Sequence, residues 1–121
     1  MIKEIVERKE LYNFDQLQEM SSGNMDFIRS LALIFIKVAP EDSAAMVKAA
    51  KSGDWLTVSK MAHKLKSTVD GMNIFSIKKD IRTLEMDAKH KTNTSALPQL
   101  AQKVDRVIHE VAKQVRREFG F

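Results

Sequence analysis

Between the few breakers of this 121-residue chain, apolar residues return at alternating steps of three and four. Trp55, Val58, Ala62, Leu65, Val69 and Met72 trace one such line, and Ile74, Ile77, Ile81, Leu84 and Ala88 a second. Leu97, Ala101, Val104, Ile108, Val111 and Val115 trace a third. A fourth runs through Ile28, Leu31, Phe35 and Val38, with Met46 and Ala49 or Ala50 extending it past Pro40. An α-helix repeats its direction every ~3.6 residues, so each line is an apolar stripe along one helix. Helices with such seams bury them against one another, and short connections make sequential neighbours antiparallel. The expected fold is therefore all-α: an antiparallel four-helix bundle, up-down-up-down, with a short extra N-terminal helix near Phe14 to Met20. One domain over residues 1–121 accommodates it, because no linker, repeat or low-complexity tract divides the chain.

Breaks are expected at Ser21 to Asn24, Pro40, Ser52 to Asp54, Gly71 and Lys91 to Ser95. Asn24, Asp54 and Thr94 or Ser95 are the N-cap candidates, since their side chains can accept from the orphan N–H groups of a first turn. Leu31 to Ile36 is apolar on every face. It reads as helix rather than strand because no alternating strand partner exists elsewhere in the chain. Such a helix either is buried on more than one side or exposes a partner surface, and both readings stay open.

Composition removes several functions. With no cysteine there is no disulfide, thiolate metal site or cysteine nucleophile. The longest apolar run is too short to span a bilayer, and Met1 to Lys9 is charged throughout, unlike a signal peptide. A cytoplasmic monomer with no membrane role is the expectation. The net charge of +4 invites a nucleic-acid reading, but 16 acidic residues are interspersed with the 20 Lys and Arg. The densest basic cluster, Lys113 to Arg117, suits a helix C-terminus for dipole reasons alone. No nucleic-acid partner is expected. The four glycines are isolated, so no loop cradles a nucleotide phosphate. Asp87-x-x-His90 is a lone pair where a di-metal bundle needs repeats, and the seven methionines are scattered core filler. His90 reads as a helix-end residue and His109 as a surface or boundary residue.

His63 differs. Relative to the stripe Val58, Ala62, Leu65, Val69 it lies roughly 130° round the helix, on the polar side. Lys66 and Ser67 are its neighbours one turn on, and Ser59 lies one turn back. Asp70 shares the face but sits two turns away, roughly 10 Å along the axis, out of reach of the imidazole. Small flanking residues leave the ring open to a reactant carried by another macromolecule, and the ammonium at its shoulder suits an anionic one.

Met61-Ala62-His63-Lys64-Leu65-Lys66-Ser67 resembles the core motif of histidine-containing phosphotransfer (HPt) domains, commonly Ala-His-x-Leu-Lys-Gly. Leu84-Glu85 resembles the Leu-Glu pair usual in the following helix. The likeness covers the whole architecture, but its sequence-specific part is about a dozen residues. Two positions depart from the pattern: Ser67 and Asn73 stand where the family usually has glycine. Serine keeps the approach to His63 open, and asparagine is the non-glycine residue best suited to a left-handed turn.

The resemblance implies a phosphorelay intermediate in two-component signalling. His63 would accept a phosphoryl group from a receiver-domain phospho-aspartate and pass it to another receiver, with Lys66 offsetting charge on the phosphoryl oxygens. Its partners would be response-regulator receiver domains and a hybrid sensor histidine kinase. No cofactor or metal is expected on this chain, since Mg²⁺ and the catalytic carboxylates would belong to the receiver. The chain would be a phosphoryl carrier rather than an autonomous enzyme. Ser59, Lys64, Ser67, Asp70, Phe27, Leu31 and Met72 are the candidate docking residues, with Ile34 and Phe75 beside them. The alternative is a non-catalytic helical-bundle module, a degenerate HPt domain that docks signalling partners without phosphotransfer.

Overall fold

The computed structural model describes residues 11–121, so the charged stretch Met1 to Lys9 lies outside the described residues. Those residues are all helical, with no strand. Five helices follow in order: α1 (Asp15–Met20), α2 (Met25–Lys51), α3 (Trp55–Gly71), α4 (Lys78–His90) and α5 (Leu97–Phe119). Short 3-10 turns, Phe75–Ile77 and Thr94–Ala96, lead into α4 and α5. Each long helix packs on two others: α2 on α3 and α5, and α4 on α3 and α5.

Periodicity becomes packing most directly in the last three helices. Val58, Ala62, Leu65 and Val69 of α3 are buried, as are Ile81, Leu84 and Ala88 of α4. In α5 the whole expected stripe from Leu97 to Val115 is buried, with Ala112 beside it. Each fully buried Leu or Ile contributes about 1.5–3 kcal/mol of hydrophobic stabilisation.

The α2 stripe is kept in part. Ile28, Phe35, Met46, Ala49 and Ala50 are buried as expected, but Leu31 is half-buried and Val38 exposed, while Ala32, Ile36, Ala39 and Ser43 join the buried face. A segment apolar all round offers several phases, and packing against α3 and α5 chose among them. Pro40, read as a break, lies inside the 27-residue α2. Proline costs that turn a backbone hydrogen bond, but buried residues on both sides, Ile36 and Ala39 before and Ser43 and Met46 after, keep the helix running.

Two expected caps are present. The Asn24 side chain accepts from the Phe27 N–H at 3.1 Å. Asp54 accepts from the Thr57 N–H at 3.2 Å and from its hydroxyl at 2.7 Å, bonds that hold its carboxyl below the usual value. Such caps are each worth about 1 kcal/mol. Neither Thr94 nor Ser95 caps α5, which grows without a side-chain cap from the preceding 3-10 turn. Pro98 sits in its first turn, where a missing N–H leaves nothing unpaired.

The α3–α4 connection fixes how these two helices face each other. Asn73 takes the expected left-handed conformation, φ 49°, while Gly71 remains helical. The Asn73 amide donates to Asn13 Oδ1 at 2.8 Å, and the Asn13 N–H donates to the Met72 carbonyl at 2.9 Å. α1 buries no residue of its own, but Tyr12 and Phe14 just before it enter the core. Phe14 meets Tyr12 and Phe119 edge to face.

Candidate functional site

His63 leaves α3 directly after the buried Ala62 and before the buried Leu65, so its ring points away from the core with 71% of the side chain exposed. On α4 the fully buried Leu84 fixes the rotation of the helix. Glu85, next in sequence, is thereby turned about 100° to the core edge, toward α3. Its carboxylate meets two side chains there. Oε2 lies 2.6 Å from His63 Nδ1, and Oε1 accepts from Lys66 Nζ at 2.8 Å. Ser59 Oγ donates to the Glu85 carbonyl oxygen at 3.1 Å. Three residues on one face of α3 thus hold a single residue of α4 through both its backbone and its side chain.

The Lys66 ammonium, and next to it the His63 bond, hold the Glu85 carboxyl below the ordinary value of 4.5 against the opposing effect of burial. Glu85 is therefore ionised at neutral pH and can only accept. The proton in the short contact belongs to His63 Nδ1, and this partner assigns the tautomer. In the neutral ring the lone pair is then on Nε2. The arrangement is a nucleophilic nitrogen whose opposite ring proton rests on a carboxylate, with an ammonium within the same cluster.

The remaining expected residues divide into those near the ring and those engaged elsewhere. Lys64 reaches away from His63 to Asp42 on α2, Nζ to Oδ2 at 3.1 Å. Ser67 is exposed, and its hydroxyl stands 3.5 Å from the Lys64 carbonyl. Asp70 does not meet the imidazole, in line with its distance along the helix, and instead receives Arg82 of α4 at 2.6 Å. That guanidinium depresses the Asp70 carboxyl, and the carboxylate in turn raises the Arg82 guanidinium. Lys66, expected beside a phosphoryl group, is also the counterion of Glu85.

Beside His63, α2 and α3 enclose an apolar groove. Leu31, Ile34 and Val38 form one wall, Leu65 and Met72 line the other, and Lys64 and Asp42 stand at its margin. Ile34 is 55% exposed. Phe27, one turn before Leu31 on α2, is also exposed. Met72, expected at a docking surface, belongs mainly to the core at 5% exposure and reaches the groove only with its edge. Phe75 projects from the 3-10 turn before α4, with Lys78 Nζ 4.8 Å from its ring centre.

No family model, curated protein or solved structure matches the chain. Among the described residues no set of three or more His, Asp or Glu side chains is disposed to hold a metal ion. No described helix is long and apolar enough to cross a membrane.

In the sequence Glu85 is visible only as half of a Leu-Glu pair, with no role of its own. One signal was available: with Leu84 on the α4 stripe, its neighbour must lie at the edge of the packed face. Asp42 gave no comparable signal, because its contact depends on how α2 is rotated against α3.

Proposed function

We propose that this chain is a histidine phosphotransfer module of a two-component phosphorelay, and that its four long helices form an antiparallel up-down-up-down bundle with α1 as an extra element. The observation that carries the reading is the exposed His63 ring, held at Nδ1 by Glu85 and free at Nε2. The resemblance of Ala62 to Ser67 to the HPt motif supports it, as does the apolar groove beside the ring.

In the proposed transfer, Nε2 attacks the phosphorus of a receiver's aspartyl phosphate in line with the leaving oxygen. The N–P bond forms as the P–O bond breaks, and the aspartate carboxylate departs with the bonding pair. The imidazole becomes cationic, and its Nδ1 proton already faces the Glu85 carboxylate, which offsets the new charge without rearrangement. Lys66 completes the balance by pairing with Glu85 and with the incoming phosphoryl oxygens. Mg²⁺ would act on the receiver. The groove between α2 and α3 would take the apolar part of the docking partner, with Phe27 and Leu31 contributing.

Incubation with a panel of phosphorylated receivers and Mg²⁺ is expected to move label to this chain in acid-labile, base-stable form. His63→Gln should abolish that transfer, and undiminished receiver-dependent labelling of the variant would overturn the reading. One observation favours the binding-only alternative: the Lys66 ammonium is already committed to Glu85 at 2.8 Å. That reading expects receivers to bind while His63 stays unphosphorylated.

A further inference from the structure

α5 carries a second exposed imidazole outside the His63 site. His109 Nδ1 lies 2.9 Å from the Asp105 carbonyl oxygen and 3.1 Å from Asp105 Oδ1. A carbonyl oxygen has no proton to give, so Nδ1 carries a hydrogen, and in the neutral ring the lone pair is on Nε2. The side chain is 53% exposed. The carboxylate beside it is anchored from below, where Ser43 Oγ of α2 donates to Asp105 Oδ1 at 2.6 Å. Ser43 is fully buried and is the one buried polar residue among those described. A hydroxyl placed inside an otherwise apolar core needs a partner. Here the hydroxyl has two acceptors, the Asp105 carboxylate at 2.6 Å and the Pro40 carbonyl at 3.2 Å, and that carboxylate also lies 3.1 Å from His109 Nδ1.

The surroundings are open and of mixed charge. Arg106 and Lys113, one turn to either side, border a shallow depression together with Asp105, His109 and Glu110. Lys113 leans toward Glu110 at 3.8 Å, whereas no ion pair engages Arg106 among the described residues. His90 makes a useful contrast. It is also exposed on a helix, but among the described residues no carboxylate is paired with its ring.

We propose that His109 is a second phosphoryl-acceptor site, serving small acyl phosphates rather than a protein donor. The depression is shallow and rimmed by charged side chains, without the apolar groove that flanks His63, and Arg106 on its rim suits a compact anion. Nε2 attacks the phosphorus, the bond from phosphorus to the acyl oxygen breaks, and that oxygen leaves with the bonding pair as a carboxylate. Nδ1 keeps its proton, and the resulting phosphoimidazolium faces Asp105 while Arg106 neutralises the phosphoryl oxygens. Asp105 is a positioning residue in this step. The proposal is independent of the role given to His63.

The test uses the full chain, the His63→Gln, His109→Gln and Asp105→Asn variants, and acetyl phosphate as the donor. Label at positions 63, 90 and 109 is quantified separately by mass spectrometry under base-stable conditions. In His63→Gln, His109 should be labelled about tenfold or more faster than His90, the scale of bonds that orient an imidazole. Phosphorus NMR should place the phosphoryl group on Nε2. Asp105→Asn, which keeps an oxygen for the Ser43 hydroxyl, should bring His109 down toward the His90 rate. Labelling of His109 no faster than His90, attachment at Nδ1, or label arriving only from phosphorylated receivers would overturn the proposal. Because each residue is read on its own, failure at position 109 and failure at position 63 are distinct results.

Discussion

His63 bonds one ring nitrogen to the Glu85 carboxylate, whereas His109 bonds its own to the Asp105 backbone carbonyl with the carboxylate 3.1 Å away, and the two acidic residues come from different places. Glu85 reaches His63 from another helix, 22 residues further along the chain. Asp105 reaches His109 from one turn back on the same helix. The first arrangement exists only when α3 and α4 are packed in register, because Leu84 must be seated before Glu85 faces α3. The second needs little more than a helical α5, with Ser43 trimming the carboxylate. Tertiary packing thus governs one imidazole and local geometry the other. Their surroundings differ in the same sense: the long-range site lies beside a groove suited to a macromolecule, the local site beside a depression suited to a small anion.

Substitutions can separate the two. Leu84→Ala removes a fully buried side chain and should cost about 2–5 kcal/mol, read as a lower denaturant midpoint. The same change should disturb the imidazole ¹⁵N shifts of His63 and leave those of His109 in place. Shifts that move together would mean both rings depend on the same packing. Glu85→Gln should leave the fold intact and slow receiver-dependent labelling of His63 by about 10- to 100-fold, the scale of orienting bonds to an imidazole. Labelling at His109 should not change, and rapid-quench assays would read both.

Acid provides a gentler test. The folded protein depresses the Glu85 carboxyl below 4.5 and the Asp70 carboxyl below 3.8. A depressed carboxyl contributes stability that is fully present above its unfolded value and lost as pH falls through the folded one. Urea midpoints should therefore hold steady from pH 7 to about 5 and fall progressively below 4.5, with a shallower fall in Glu85→Gln. An equal slope in both proteins would mean that the clasp on α3 adds no stability. The smallest effect is expected for Lys64→Met. Its pair with Asp42 is a partly exposed ion pair worth about 0–1 kcal/mol, so thermal unfolding should barely move. Receiver association, followed by stopped flow at two salt concentrations, should lose part of its ionic-strength dependence.

The three helices after Asp54 were legible because their apolar residues repeat with a single phase and polar residues fill the gaps. The α2 phase was legible only in part, through Ile28, Phe35 and Met46, since Leu31 to Ile36 offers apolar side chains in every direction and only the neighbours choose among them. Asn24 and Asp54 announced their helices by side-chain chemistry, whereas the start of α5 is set by a 3-10 turn that leaves no such mark. His63 was legible as an exposed ring, since that follows from one helix alone. Its bond to Glu85 was not, because it depends on the relative rotation and height of two helices, and α4 begins only after a left-handed residue and a 3-10 turn. Asp42 and Ser43 stayed hidden for the same reason.

Asn73 stands where glycine would make the turn more easily, and its side chain does something glycine cannot. Its amide nitrogen donates to Asn13, while its oxygen accepts from Lys78 Nζ at 3.0 Å. The corner between α3 and α4 is thereby stitched both to the strand of chain leading into α1 and to the first turn of α4. Local opening of this corner must break these bonds as well as the turn itself. Slow amide exchange should extend through Met72 to Ile74 in this protein, and Asn73→Gly should restore a corner that breathes, with the alignment of Glu85 on His63 fluctuating in step.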